Sequence, residues 1–292
     1  MTAVAEPTRI RTEKPVDGVG RIVLNRPEKR NAQDYRMLYE LDAAFTAAAR
    51  DENVKVIILA AEGKDFSSGH ELHARGFDAF ARERELHPPA STWGGFEKPG
   101  IEGFVAREEE IYLGFCWKWR NIPKPTIAEV QGHVIGGGLM LVWPCDLIVA
   151  SDDATFVDPV VALGLNGHEY HVHTWELGHR RAKQMLFTGE PITAQEAYEL
   201  GMVASVVTRD ELSSATLDLA RRIARRPSIA LMTAKQTVNQ AQEAQGLWTA
   251  LQAAYSLHAL GHSHSFQQHG DPIDPEGPGL IRETLSEYRS RS

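Results

Sequence analysis

Cysteine is almost missing from this chain: Cys116 and Cys145 are the only two among 292 residues. Two thiols cannot build a disulfide framework, and their scarcity fits a reducing compartment, so a cytoplasmic location is expected. Long apolar runs are missing too. The longest candidates, Val54–Ala61 and Leu139–Val142, fall far short of the roughly 18 residues that span a bilayer, and no membrane partner is expected. Residues 1–17 hold charges and prolines without an apolar stretch, which argues against a signal peptide. Basic charge is in short supply. Asp and Glu outnumber Lys and Arg by 39 to 31, the net charge is −8, and no Lys/Arg block occurs. Nucleic acid is therefore not an expected partner. Neither a GxGxxG loop nor a Walker sequence is found, and no cofactor is expected. Internal repeats and low-complexity tracts are lacking.

What is there suffices for a large core: 42% of the residues are hydrophobic. Residues 21–25 (RIVLN) read as a strand. From Asp34 to Ala49, Leu38, Leu41, Phe45 and Ala48 share one helical face, with Asp34 as the N-cap. Residues 54–60 (VKVIILA) form a β-branched apolar run, the pattern of a fully buried strand. Residues 66–70 (FSSGH) are too small and polar for core and suit a loop over a ligand. Residues 73–103 mix Pro and Gly with Phe77, Phe80, Trp93 and Phe96, and read as an ordered insertion or lid. A helix over 107–119 is stopped by Pro123 and Pro125.

Further along, Thr126–Val130, 146–150 and Thr155–Val157 read as strands. Gly136, Gly137 and Gly138 open a helix that Pro144 must end. Thr193 and Glu196 form a capping box, and Gly201 closes that short helix. Beyond Ser228 the pattern is helical, with a break between Gly261 and Pro278. These elements predict an α/β core over 18–207, preceded by an extension (1–17) and followed by a helical region (208–292).

Two glycine-centred loops each follow a buried strand. Gly69 allows close approach of backbone to a ligand, with the His70 N–H pointing outward. The triple glycine leaves unpaired amides at a helix N-terminus, where the dipole also favours negative charge. Two such donors aimed at one oxygen make an oxyanion hole. Tight helix–sheet packing is the alternative reading of the same glycines.

The wording of these segments resembles the crotonase family, the enoyl-CoA hydratases and isomerases. Residues 24–32 (LNRPEKRNA) are similar to that family's opening motif, and 66–72 (FSSGHEL) to its F-x-x-G-x-D-L loop. Residues 124–132 (KPTIAEVQG) followed by Gly136–Gly138, then 145–150 (CDLIVA), Thr188 and Gly189, continue in the same order. The resemblance spans roughly 18–260. It implies an α/β spiral of ββα units with a C-terminal helical trimerisation region, assembling as trimers or hexamers. It also implies an acyl-CoA substrate whose enolate is held by the His70 and Gly137 amides. Coenzyme A would contact Lys29, Arg30, Ala32, Ser68, His70, Glu71, Leu72 and His73. Glu71 matches an aspartate that usually supports the loop.

The resemblance breaks at the acid/base positions. Hydratases of the family carry one glutamate three residues past the oxyanion glycine, here Met140, and another past the strand-exit proline, here Val160. Neither side chain moves protons. Family members that isomerise dienes or displace aryl halides carry an aspartate four residues past the glycine matching Gly164, which lands on His168. The stretch is shorter than usual here, so 166–169 are all candidates. His168 or Glu169 is a candidate base, with a polar helix start as the alternative reading. Asp158 is a further candidate acid, or a turn residue before Pro159. His168, Glu169, Tyr170 and His171 lack HExxH spacing, and no metal site is expected. His258, His262, His264 and His269 in the tail read as solvated surface.

Three functions remain open on the sequence. The first is an acyl-CoA isomerase, hydrolase or lyase, the second a hydratase with relocated acid and base. The third is a catalytically silent CoA-binding or assembly protein.

Overall fold

A computed structural model describes residues 8–72 and 95–291. His73 and most of the 73–103 insertion lie outside the described residues. The strands are β1 (Ile10–Val16), β2 (Gly18–Leu24), β3 (Val54–Ala61), β4 (Thr126–Val130) and β5 (His133–Ile135), then β6 (Leu147–Ser151), β7 (Thr155–Val157), β8 (Ile192–Thr193) and β9 (Ser205–Val207). Six of them form one sheet in the order β1-β2-β3-β4-β6-β9. β1 and β2 pair antiparallel as a hairpin, and the remaining pairs are parallel. A smaller sheet, β5-β7-β8, stands apart.

Because side chains alternate along a strand, β3 feeds two cores. Ile57 and Leu59 pack with Leu38, Leu41 and Phe45 of α1 (Tyr35–Arg50). Asp34 caps that helix by accepting from the Met37 N–H at 2.8 Å. On the opposite face Val56, Ile58 and Ala60 join Val19, Ile127 and Val149 against Leu212 and Ala220.

After the insertion come α2 (Gly100–Glu108), a π-helical turn over Glu109–Gly114, and α3 (Phe115–Arg120). A tight turn over Gly136–Gly138 leads into α4 (Leu139–Val142). The chain continues with α5 (His173–Thr188), α6 (Ala194–Glu199), α7 (Leu212–Ala224), α8 (Ser228–Ala244), α9 (Leu247–His269) and α10 (Gly277–Arg291). The capping box at α6 forms as the sequence predicts. No helix among the described residues is long and apolar enough to cross a membrane.

Several boundaries differ from the sequence reading. Residues 10–16 are not an extension, because β1 pairs along β2 as the edge of the main sheet. A division after 207 would cut α7 from the strands it covers. The predicted break between Gly261 and Pro278 falls at 270–276, between α9 and α10; α9 runs through Gly261 itself, where a Cβ would come within 2.9 Å of the Gly164 carbonyl. That glycine serves close packing rather than helix termination. Leu247, Leu251 and Tyr255 of the tail are buried within the chain, whereas Ile229, Val238, Leu257 and Leu260 face outward.

Candidate active site

The Gly69 loop and the triple-glycine turn meet because β3 and β4 are neighbours in the sheet. Gly69 has φ +86°, and a Cβ on it would lie 2.6 Å from the Ile135 carbonyl and 3.2 Å from the Gly137 nitrogen. No residue but glycine fits there. A buried polar relay fixes the approach. Gln33 Nε2 donates to the Gly137 carbonyl at 2.8 Å and to Ser67 Oγ at 3.2 Å, and Ser67 Oγ donates to the Asn31 carbonyl at 2.9 Å. Gln33 also bonds the backbone on both sides of His70, through the Gly69 carbonyl and the Glu71 N–H. The His70 N–H thus faces away from Gln33. Among the described residues, neither it nor the Gly137 N–H donates a hydrogen bond.

The His70 side chain is part of the same corner. Its ring stacks on Tyr112, with centroids 3.9 Å apart. A Cβ on Gly137 would fall 2.4–2.8 Å from three atoms of that ring. The π-helical turn carries Tyr112, which backs the His70 ring, and it follows directly on Glu108, which lines a cavity together with His70. That cavity has a volume of about 250 Å³. His70, Gly137 and Glu169 line it together with Glu108, Val160, His258 and His262.

Glu169 sits between two imidazoles, with Oε2 3.4 Å from His70 Nε2 and Oε1 3.5 Å from His258 Nε2. Burial pushes its carboxyl up, but the charges and hydrogen bonds of His70 and His258 outweigh burial and hold it well below the carboxylate range. Burial pulls His258 down, and the Glu169 charge and hydrogen bond, with Glu108, raise it overall. The result is an ionised carboxylate beside a basic imidazole.

The other candidates from the sequence are placed elsewhere. His168 is 1% exposed, does not line the cavity, and lies against Trp143 and His173 at 5.1 and 4.8 Å. Burial holds its ring neutral, well below the usual histidine range. Asp158 is fully buried and also outside the cavity. It accepts from the Val160 N–H, the His168 N–H and His173 Nε2 at 3.0, 2.9 and 2.8 Å. No helix starts at 168, since α5 begins at His173. Of the pair His168–Glu169, only the glutamate reaches the oxyanion corner.

Along the rim, Ser68 and Leu72 line the cavity, while Lys29 and Arg30 are exposed beside it. The Ser68 N–H donates to the Arg30 carbonyl at 2.9 Å. Glu71 pairs with Arg26 at 2.6 Å, and the same guanidinium donates to the Ala32 carbonyl, which ties the two segments together. Met140 is buried away from the cavity lining, and Val160 is part of it.

The tail histidines overturn the sequence reading most clearly. His258 and His262 are each 1% exposed and stand at the cavity with Glu108. Their spacing of four residues on α9 was the one available signal, since it stacks both rings on one helical face.

Against known proteins, the family model described as enoyl-CoA hydratase/isomerase matches residues 15–91 and 108–273. EchA13 of Mycobacterium tuberculosis, named for enoyl-CoA hydratase, is 45% identical over 286 residues, covering 96% of this chain and 88% of that protein. A Mycobacterium smegmatis crystal structure named for enoyl-CoA hydratase is 47% identical with a TM-score of 0.82, covering 92% of this chain and all of that one. A monofunctional enoyl-CoA isomerase from M. smegmatis is 25% identical with a TM-score of 0.62, covering 85% of this chain and 96% of the isomerase chain. With its two free amides meeting at Gly69 and its sequence matched over most of its length, this chain belongs to the enoyl-CoA hydratase/isomerase family.

Proposed function

We propose that the chain processes an acyl-CoA thioester through an enolate, with Glu169 moving the proton. In this reading the His70 and Gly137 N–H groups receive the thioester oxygen as its charge develops, where preorganised donors act most strongly. The observation that carries the reading is a carboxylate flanked by two imidazoles in the same cavity as two unengaged amides. Ionised at neutral pH, Glu169 removes a proton from the carbon α or γ to the thioester. The adjacent imidazole of His258 then supplies charge balance and a route for proton return. Lys29, Arg30, Ala32, Ser68, Glu71 and Leu72 form the rim that takes coenzyme A, and the chain needs no other cofactor to form the enolate. The protein acts in the cytoplasm as a homotrimer or a hexamer.

Isomerase, hydrolase or lyase chemistry is favoured over simple hydration, because Met140 and Val160 stand where hydratases of the family carry their glutamates. A second reading, hydration with relocated groups, is favoured by one observation: Glu108 gives the cavity a second carboxylate.

The test is exchange of substrate C–H for deuterium by the purified protein, alongside hydration of crotonyl-CoA. Glu169→Gln should lower exchange about 10²–10⁴-fold while acyl-CoA affinity stays within a few-fold, since the amides and rim are untouched. Hydration should be slow in the wild type. Exchange that survives in Glu169→Gln refutes the assignment, and rapid hydration lost in Glu108→Gln establishes the second reading.

A further inference from the structure

Glu108, His258 and His262 raise a question about protons that the enolate chemistry does not answer. His258 Nδ1 lies 2.9 Å from the Gly167 carbonyl, and His262 Nδ1 lies 2.6 Å from the Pro272 carbonyl. A carbonyl oxygen only accepts, so both Nδ1 atoms carry protons. Both Nε2 atoms are then lone-pair acceptors, yet they face one another at 3.0 Å. Two acceptors that close need a positive species between them, either an added proton or a cation.

Glu108 decides between the two. Its Oε2 lies 3.1 Å from His262 Nε2 and 3.9 Å from His258 Nε2. Its side chain is 9% exposed, and this oxygen makes no hydrogen bond. A shared proton engages the two imidazoles and leaves Oε2 unsatisfied. A cation engages all three atoms. We infer that Glu108, His258 and His262 form a binding site for a divalent first-row transition-metal ion.

The geometry fits such an ion. Metal bonds of about 2.1 Å meeting at angles of about 90–135° place ligand atoms about 3–4 Å apart. The three separations here are 3.0, 3.1 and 3.9 Å. The carbonyls of Gly167 and Pro272 fix the ring tautomers, as the outer partners of metal-binding histidines commonly do. Two imidazoles and a carboxylate suit zinc, iron or cobalt better than calcium or magnesium. Glu169 stands next to the site, with Oε1 3.5 Å from His258 Nε2, and a divalent charge balances the two carboxylates. Asp158, His168 and His173 also gather their donor atoms closely, but three hydrogen bonds already engage the Asp158 oxygens.

The assignment does not rest on the enolate reading, although a bound ion would take the His258 Nε2 lone pair and replace that ring as charge balance and proton route for Glu169. It is tested without substrate. The full chain is stripped with a chelator, desalted, and dialysed against Zn²⁺ or Co²⁺, and bound metal is counted by mass spectrometry. One ion per chain is expected. Glu108→Gln and His262→Gln, shown to be folded by circular dichroism, should each lose at least about tenfold in affinity, and exposed His264→Gln should lose none. Cobalt provides a readout on the wild type alone. Two exchangeable, hyperfine-shifted imidazole N–H protons should appear in the proton spectrum, one from each Nδ1. Binding well below one ion per chain, equal binding by both site variants, or a cobalt spectrum without those two protons overturns the proposal.

Discussion

Asp158→Asn distinguishes a carboxylate that holds the fold from one that handles protons. Asp158 Oδ1 accepts the Val160 N–H, while Oδ2 accepts both the His168 N–H and His173 Nε2. Asparagine has one oxygen and one NH₂ group in the same outline. Whichever way the amide turns, a backbone N–H that had an acceptor now faces a donor. An orphaned buried N–H costs about 1–3 kcal/mol, and losing the charge-assisted His173 bond adds about 1.5–3 kcal/mol. The two overlap, because His173 relaxes by changing tautomer. A net loss of about 3 kcal/mol is expected, or about 6–9 °C in Tm for a chain of this size.

Thermal and urea unfolding at fixed protein concentration measure that loss. Deuterium exchange on the folded variant should change less than about threefold, because Asp158 lies outside the cavity. Abolished exchange at an unchanged Tm would refute the reasoning and make Asp158 the base. The sign of the pH effect agrees with a structural role. Burial pushes the Asp158 carboxyl up, but the His173 hydrogen bond and the two neighbouring rings outweigh it and hold the group well below the carboxylate range. A depressed carboxylate stabilises the fold above its unfolded pKa and loses that contribution only as pH falls through its lower folded value.

Two further outcomes are expected. Burial, reinforced by His173, pushes the His171 imidazole down to about 4. A histidine held neutral in the fold but charged when unfolded lowers stability as pH falls from about 6.5 toward 4, by up to about 3 kcal/mol, and His171→Gln should flatten urea-unfolding profiles across that window. Ile229 and Val238 on α8 and Leu257 and Leu260 on α9 are 58–64% exposed, an apolar surface that suits burial between subunits. Light scattering should report a trimer or hexamer that Val238→Asp weakens, and a stable wild-type monomer at micromolar concentration would contradict this.

The central strands, α1 and the capping box at α6 were legible in the sequence because each is written locally. A continuous buried apolar run, period-3.6 burial and a Thr-x-x-Glu cap each lie within a few neighbouring residues. The oxyanion corner was legible for a related reason: Gly69 has no room for a side chain and one on Gly137 would collide with the His70 ring, so the chemistry leaves a mark on residue type. β1 was not legible, since its burial alternates weakly at a sheet edge. The short strands β5, β8 and β9 carry two or three residues each, too few for any period to show.

The charged half of the site was hidden for a different reason. His168 and Glu169 are adjacent, and sequence position offers no means to choose between them. The choice is made by the irregular, non-helical backbone before α5, which turns one side chain toward Trp143 and the next toward His70. Glu108, Glu169, His258 and His262 converge through contacts spanning up to 154 positions of the numbering, between Glu108 and His262. On α9 alone, two histidines four residues apart look like a polar stripe open to water. They are buried because α9 packs on α2 and on the Gly164–Leu165 backbone, where Gly261 permits the close approach. A local pattern reports what a segment prefers; which polar residues end up inside depends on what the rest of the chain brings against them.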